Sequence, residues 1–362
     1  MMSFAQWGNA LYSGEKSYGI IRHRRAFVSV AGTVILVAAI LVGTLGFNQS
    51  IEFTGGSQFT VAAAAATGQQ PAYDAVKAAG LDAAAARVSN LGSDGIRVQT
   101  EALDTTKTAA VRDALAKAYG VASADVQSNS IGPSWGKDVT QKALQSLLIF
   151  LVLVGLLMAV YFRSWTMSAA ALIALVHDIA LTVAFFSVTR VEISPATVIG
   201  FLTILGYSLY DTVVVFDKVR ELTRGVHDQR RYTYGELVNL AVNQTLVRSI
   251  NTSVVALLPV GSILVIGSLL LGSGTLTDIS LALFVGMLAG AYSSIFIASP
   301  LLVMLEGTRA RGKEHNALVA KARATAGGAG DAAPAADVRV APVVPGHHLG
   351  NSAQPIRRKR TR

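Results

Sequence analysis

Cysteine is absent from the 362 residues, which excludes a disulfide framework, a thiolate metal site and a cysteine nucleophile. Charge is also scarce. Asp, Glu, Lys and Arg make up 15% of the chain, against about 25% in ordinary soluble domains. With 52% hydrophobic residues and a mean hydropathy of +0.47, that scarcity argues against a soluble globular protein and against disorder over most of the length. The charge that exists is uneven. From Arg309 to Arg362 there are 11 Lys and Arg against 3 Asp and Glu, so +8 of the net +9 sits in the last segment. The body is close to neutral.

What is present in quantity is uncharged run. Ala26 to Phe47 is 22 residues without a charge and Ala143 to Phe162 is 20. A helix needs about 20 apolar residues to span a bilayer. Ser164 to Thr189 is broken only by His177 and Asp178, and Ile193 to Phe216 only by Asp211. Ser249 to Thr277 and Ile279 to Leu305 carry no charge. The expectation is an α-helical polytopic membrane protein with six transmembrane helices. The first run is too long for a signal-peptide core of about 7–15 residues.

Orientation follows from basic residues near the span ends. Arg22, Arg24 and Arg25 precede the first span, Arg163 separates the second from the third, and Lys218 to Arg231 separates the fourth from the fifth. Arg309, Arg311 and Lys313 follow the sixth. Both termini are expected on the cytoplasmic side and the large insert after the first span outside. The expected division is 1–25 cytoplasmic, 26–47 first span, 48–142 extracytoplasmic α+β domain, 143–305 spans two to six with a cytoplasmic loop at about 218–242, and 306–362 a basic, largely disordered tail.

Local signals set helix ends. Ser194-Pro195 suits the start of the fourth span, and Thr233 with Glu236 reads as a capping box leading into the fifth. Asp278 is a candidate cap for the sixth, and Pro259 is expected to bend the fifth. Trp7, Trp135 and Trp165 lie near span ends, where interface anchors sit. Gly155, Gly200, Gly206, Gly286 and Gly290 are read as points of close helix contact.

The insert reads as strand (58–66), helix (72–79), strands (86–90 and 96–101) around Gly92-Ser93-Asp94-Gly95, helix (104–119) and strand (125–131). The order βαββαβ is ferredoxin-like. It holds no histidine and no acidic cluster, so no catalysis is assigned to it. The tail beyond about Thr325 is rich in Ala, Gly and Pro and is expected to be disordered. Its final Arg-Arg-Lys-Arg-Thr-Arg suits an anionic leaflet better than a specific nucleic acid, and a solvated tail that reinforces topology is the plain alternative.

Ionisable residues within spans are costly and mark function by default. Asp211 lies six residues before Asp217, roughly 9 Å into the helix from the interface. Tyr207, Thr203 and Gly200 fall on its face. Arg248, near the start of the fifth span, shares a face with Gln244, Asn251 and Thr252. Two readings stand. Asp211 and Arg248 form a fixed pair, or Asp211 exchanges a proton while Arg248 switches partner. Desolvation strengthens proton binding to a carboxylate and a nearby guanidinium weakens it. The available energy is about 2.3 kcal/mol per charge per 100 mV. Asp178 is a supporting candidate in the same polar interior. Adjacent residues diverge by about 100° on a helix, so His177 and Asp178 are not expected to face each other. His177 reads first as a packing residue and second as a proton carrier.

The segment from Gly206 to Glu221, GYSLYDTVVVFDKVRE, resembles the fourth-span signature of the SecF family, and Asn243 to Ser253 resembles its fifth. Phe53-Thr54-Gly55-Gly56, Val176-His177-Asp178 and Tyr292 to Pro300 are similar to further stretches of that family, with Ala291 where Thr is expected. The likeness covers roughly residues 20–305. The first motif alone would indicate only the wider RND transporter class. The resemblance implies a subunit that works with SecD, each contributing six spans. It implies use of the proton-motive force, with no bound cofactor, to aid late movement of a preprotein through the SecYEG channel. YajC is a further partner on the same ground. It implies proton coupling at Asp211 and Arg248. Three other readings were weighed. An RND exporter of small molecules or lipids needs a larger outer domain than about 95 residues. An intramembrane aspartyl protease needs a Gly-x-Gly-Asp segment and two carboxylates sharing a proton. Asp178 follows Leu175-Val176-His177 instead. A membrane scaffold leaves Asp211 and Arg248 unexplained.

Overall fold

A computed structural model describes residues 4–62, 68–91, 95–269 and 274–327. A short helix, α1 (Phe4–Tyr12), precedes the first long helix, α2 (Arg24–Leu45). A single-turn helix, α3 (Ile51–Thr54), leads into the inserted domain. That domain comprises β1 (Gly56–Val61), α4 (Gln70–Ala78), β2 (Arg87–Leu91), β3 (Gly95–Thr100), α5 (Thr105–Tyr119) and β4 (Val126–Ile131). The chain continues through α6 (Pro133–Phe162), α7 (Trp165–Thr189), α8 (Pro195–Thr223) and α9 (Tyr234–Leu269). The last long rod is α10 (Thr275–Ser293), a π-helical stretch (Ser294–Ala298) and α11 (Ser299–Thr308), followed by α12 (Ala310–Gly327). Among the described residues, six helices are long and apolar enough to cross a membrane.

The helices overrun the uncharged runs. Helix α6 starts at Pro133, ten residues before its run, and α8 ends only at Thr223, so the segment between α8 and α9 is shorter than the expected loop. Hydropathy marks where a helix meets lipid, not where its hydrogen bonds stop. The caps follow sequence logic. Ser194 and Thr197 form a reciprocal box at α8. The Thr233 amide donates to Glu236 (2.8 Å) and the Glu236 amide to the Thr233 hydroxyl (3.3 Å). Asp278 is not a cap, because α10 begins at Thr275 with Gly274 before it. Its carboxylate accepts the Ser194 hydroxyl at 2.9 Å and ties the starts of α8 and α10 together.

The inserted sheet has the order β2-β3-β1-β4, antiparallel throughout, with Phe59 opposite Val98 on one side and Ser128 on the other. Phe59, Val61, Ile96 and Val98 pack against Val76, Val111, Leu115 and Tyr119 of the two helices. The strand and helix assignments hold to within a few residues. The turn at 92–94 and the end of the first expected strand lie outside the described residues. The domain is built against the bundle. Arg97 pairs with Glu192 at 2.9 Å, Gln99 donates to the same carboxylate at 2.6 Å, and Arg87 donates to Asn48 at 2.8 Å. The paired glycines make the turn into β1 possible. Gly56 has φ +144°, and a Cβ there would lie 2.5 Å from the Thr100 carbonyl oxygen.

In the bundle, α8 packs on α10 through small residues. A Cβ on Gly290 would meet the Ser208 Cβ at 2.8 Å, and one on Gly200 would meet the Ala282 Cβ at 2.8 Å. Gly286 abuts Ile204, and Gly155 abuts Leu172. Gly206 differs from the expectation, since nothing lies within 4 Å of its Cβ position. On α6, Leu144, Leu148, Val152, Leu156 and Val160 form an exposed stripe at helical spacing, the pattern of a lipid face.

At the end opposite the sheet, the segments flanking the bundle are helical. The terminal segment expected to be mostly disordered forms α12 as far as Gly327. Arg323 donates to both Glu236 oxygens (2.9 and 2.8 Å), and His315 Nε2 lies 3.0 Å from the Tyr232 carbonyl. Residues 328–362 lie outside the described residues. Trp135 and Trp165 are exposed near helix ends, while Trp7 donates to the Tyr18 hydroxyl at 3.1 Å.

Replacing Gly56 with Ala combines a positive φ with a backbone clash, so a loss of about 1–3 kcal/mol is expected in the inserted domain. Limited proteolysis should show new cleavage between residues 48 and 131 with the spans still inserted. Gly132→Ala is the control, because its φ is −70° and its Cβ position meets only the Ser134 hydroxyl, at 3.9 Å.

Candidate functional site

Helices α7, α8, α9 and the π-helical stretch converge on two buried carboxylates. Asp211 is 5% exposed, and its Oδ2 accepts hydrogen bonds from the Ser249 hydroxyl of α9 and the Ser294 hydroxyl at the start of the π-helical stretch. Asp178 is 1% exposed. Its Oδ2 accepts from Ser208 of α8 at 2.6 Å and Ser293 of α10 at 2.8 Å, and its Oδ1 lies 3.3 Å from His177 Nδ1. Two consecutive serines therefore serve one carboxylate each. The π turn begins at this pair, and such turns recur at functional sites.

The expectation that His177 and Asp178 stand apart is corrected. Their Cα–Cβ bonds diverge, yet the side chains are long enough for the carboxylate to come within 3.3 Å of the ring. Burial of a charge-bearing group without partners is costly, and here each carboxylate is met by hydroxyl donors.

Arg248 does not reach Asp211. No ion pair within 4.0 Å joins them among the described residues, and Arg248 is exposed. The reason is helical. Ser249 points at Asp211, so Arg248, one residue earlier, is turned about 100° away. It lines an open cavity of about 990 Å³ with Asn9, Tyr12, Asp217, Glu221 and Gln244. Asn251 and Thr252 line the same cavity, so the face predicted for Arg248 is real. Gln244 donates to the Tyr12 carbonyl at 3.0 Å, and its Oε1 is buried without a partner.

The stripe expected beside Asp211 divides. Gly200 is packed, Thr203 is exposed, and Tyr207 is half-buried and donates to the Thr252 carbonyl at 2.9 Å, tying α8 to α9. The buried face instead carries Ile204, Ser208, Asp211 and Thr212. The residues that sequence reasoning missed are Ser208, Ser249, Ser293 and Ser294. Ser208 lies three residues before Asp211, and Ser249 abuts Arg248. Among the described residues, no group of three His, Asp or Glu is placed to hold a metal ion. The arrangement can bind and release protons at carboxylates that water reaches poorly.

Comparison with known proteins bears on the family. Residues 111–308 match the family model of the protein export membrane protein SecD/SecF C-terminal region, and residues 40–66 match the SecD/SecF GG motif, which contains Gly55 and Gly56. The chain is 42% identical to protein translocase subunit SecF of Streptomyces coelicolor, over 93% of this chain and 89% of that one. It is 37% identical to SecF of Mycobacterium tuberculosis, over 88% of this chain and 74% of that one. The crystal structure of SecDF from Thermus thermophilus, described as a translocon-associated membrane protein, superposes with a TM-score of 0.70 at 30% identity. That match covers 81% of this chain and 39% of the SecDF chain, so this chain spans about two fifths of the fused protein. With its match over more than half its length and its near-full-length likeness to SecF subunits, the chain belongs to the SecD/SecF family of protein-export membrane proteins.

Proposed function

We propose that this chain is the SecF-type half of a proton-driven protein translocase, and that protonation of Asp211 is the step that couples proton movement to conformational change. The observation that carries the reading is Asp211 itself. It is a buried carboxylate in a membrane helix, held by two hydroxyls and by no cation within 4.0 Å among the described residues. A permanently ionised group there would be expensive. Arg248 stands one helical step away on a cavity wall, where rotation of α9 or a side-chain swing would bring it toward the carboxylate. A movable guanidinium makes the proton affinity of Asp211 depend on geometry. The protease reading is disfavoured, because Asp178 and Asp211 bind separate pairs of serines and do not face each other over a shared proton.

A SecD-type subunit completes the site in this reading. SecDF relatives in Thermus thermophilus and Bacillus subtilis carry both names in one chain. On the open side of α8 and α9, Thr203, Gly206 and Tyr210 join Arg248 and Asn251 as exposed residues. An exposed Arg and Asn within spans are costly in lipid and suit a covering protein. The SecYEG channel, YajC and the preprotein enter the proposal through the family likeness alone. So does the use of the proton-motive force. The orientation rests on the distribution of Lys and Arg. It puts the α1 and α12 end in the cytoplasm of a bacterial inner membrane and the antiparallel sheet outside. We read that sheet, with its two helices, as a ferredoxin-like domain that handles the emerging chain.

Asp211→Asn keeps the shape but cannot exchange a proton. In cells depleted of their own copy, this variant should assemble in the membrane at normal level and fail to support export of a secreted reporter. Normal export would place the energy input elsewhere. The absence of native cysteine permits a second measurement. A cysteine at Tyr210 or Val255 should cross-link to the SecD-type partner, whereas one at Leu148 or Val152 of α6 should not.

A further inference from the structure

The Asp211 site does not end at Asp211. Ser293 and Ser294 are neighbours in the chain and both are fully buried. Ser294 donates to Asp211 and Ser293 to Asp178, and Ser208, one turn before Asp211 on α8, donates to Asp178 from the other side. The two carboxylates are therefore held by adjacent residues of one helix, each in its own hydrogen-bonded set: His177, Ser208 and Ser293 around Asp178, and Ser249 and Ser294 around Asp211. His177 is 1% exposed and lies within 3.3 Å of Asp178.

The geometry points to the His177–Asp178 dyad as a second proton-holding site, coupled by charge to Asp211, because adjacent serines of one helix hold the two carboxylates side by side in the bundle. This rests on the reading of Asp211 as a proton site.

Two ionised carboxylates held by adjacent residues in a water-poor bundle repel each other strongly unless a positive charge is near. The packed elements supply few candidates. Helix α2 has Arg24 and Arg25 in its first turn and no ionisable side chain from Ala26 to Leu45, α6 carries Lys137, Asp138, Lys142 and Tyr161, all exposed, Glu306 of α11 is engaged by Thr166 at the start of α7, and the π-helical stretch has none. On α10, Asp278 is at the far end and Tyr292 stacks on Phe296. Helix α8 contributes Asp211 itself and Tyr207, whose hydroxyl is committed to Thr252. On α9, Arg248 is turned to the open cavity. That leaves His177. When both carboxylates are ionised, the imidazole holds the compensating proton and carries hydrogen on both nitrogens. When Asp211 takes a proton from water, the imidazole gives one back to water and is left neutral. One proton is exchanged at each site, and the net charge of the two sites together is unchanged. Sites coupled this way titrate as a unit.

The test uses the full chain in proteoliposomes and dicyclohexylcarbodiimide, which modifies membrane carboxyl groups in their protonated form. The pH profile of Asp211 modification is read by mass spectrometry. In His177→Gln and in Asp178→Asn the profile should move along the pH axis by about one unit or more, a tenfold change in proton concentration at half-modification. Leu148→Ala, on the exposed stripe of α6, should leave it in place. Profiles in both dyad variants that superimpose on the parent overturn the coupling while leaving Asp211 as a proton site. An Asp211 that is never modified at any tolerated pH overturns the underlying reading and the coupling with it.

Coupling is reciprocal, which supplies a route that does not depend on the dyad variants folding. In Asp211→Asn, the ¹⁵N signal of His177 should titrate over a range displaced by a comparable amount. It is recognised among the histidines by its protection from a soluble paramagnetic agent. An undisplaced His177 titration overturns the proposal.

Discussion

The bundle is organised around the cost of placing a carboxylate where water cannot solvate it. Asp211 and Asp178 each require donors, and each receives two serine hydroxyls from different helices. Meeting that requirement dictates much else. Ser208 of α8 and Ser293 of α10 must both reach Asp178 of α7, so α8 and α10 lie close together, which Gly286 and Gly290 permit by letting Ile204 and Ser208 lie against bare backbone. The helix must also present two consecutive serines to two partners. The π turn that begins at Ser294 lies at the point where that demand falls.

A network of hydroxyls differs from a salt bridge in what it allows. A carboxylate clamped by Arg would be held ionised in one geometry. A carboxylate held by hydroxyls can gain a proton with only rotation of O–H bonds, and the packing need not change. The guanidinium that could fix its charge is kept outside, on the wall of the cavity next to Asp217 and Glu221. The chain thus resembles a site held open for exchange, with its strongest cation in reserve.

The two ends of the molecule are tied differently. At the sheet end, one carboxylate, Glu192, receives Arg97 and Gln99 from β3, so the inserted domain is indexed to the α7–α8 connection. At the other end, Asn243 clamps both backbone groups of Tyr18 (2.7 and 3.0 Å), Asn239 holds the Ile21 amide, and Arg323 holds Glu236. Two chain segments distant in sequence, that of Tyr18 and Ile21 and that of α12, therefore converge on the first part of α9, roughly one to three turns before Arg248. Motion of α9 would be felt at both α1 and α12.

Much of this was legible from residue order. Six apolar runs, the capping pairs at Ser194 and Thr233, the βαββαβ order and the outlying Asp211 and Arg248 all follow from composition, period and the price of a charge in lipid. These are one-dimensional properties: hydropathy, helical spacing and caps depend on neighbours within a few residues. Helix ends beyond the apolar runs, the α12 helix and the role of Asp278 were not, because they depend on polar partners elsewhere in the chain. The partners of the two carboxylates were least legible of all. Nothing local distinguishes Ser249, Ser293 or Ser294 from serines that simply save space, and the separation of Arg248 from Asp211 is set by the rotation of α9 about its axis. That rotation is decided by which side chains pack between helices far apart in sequence, and only the tertiary structure contains it.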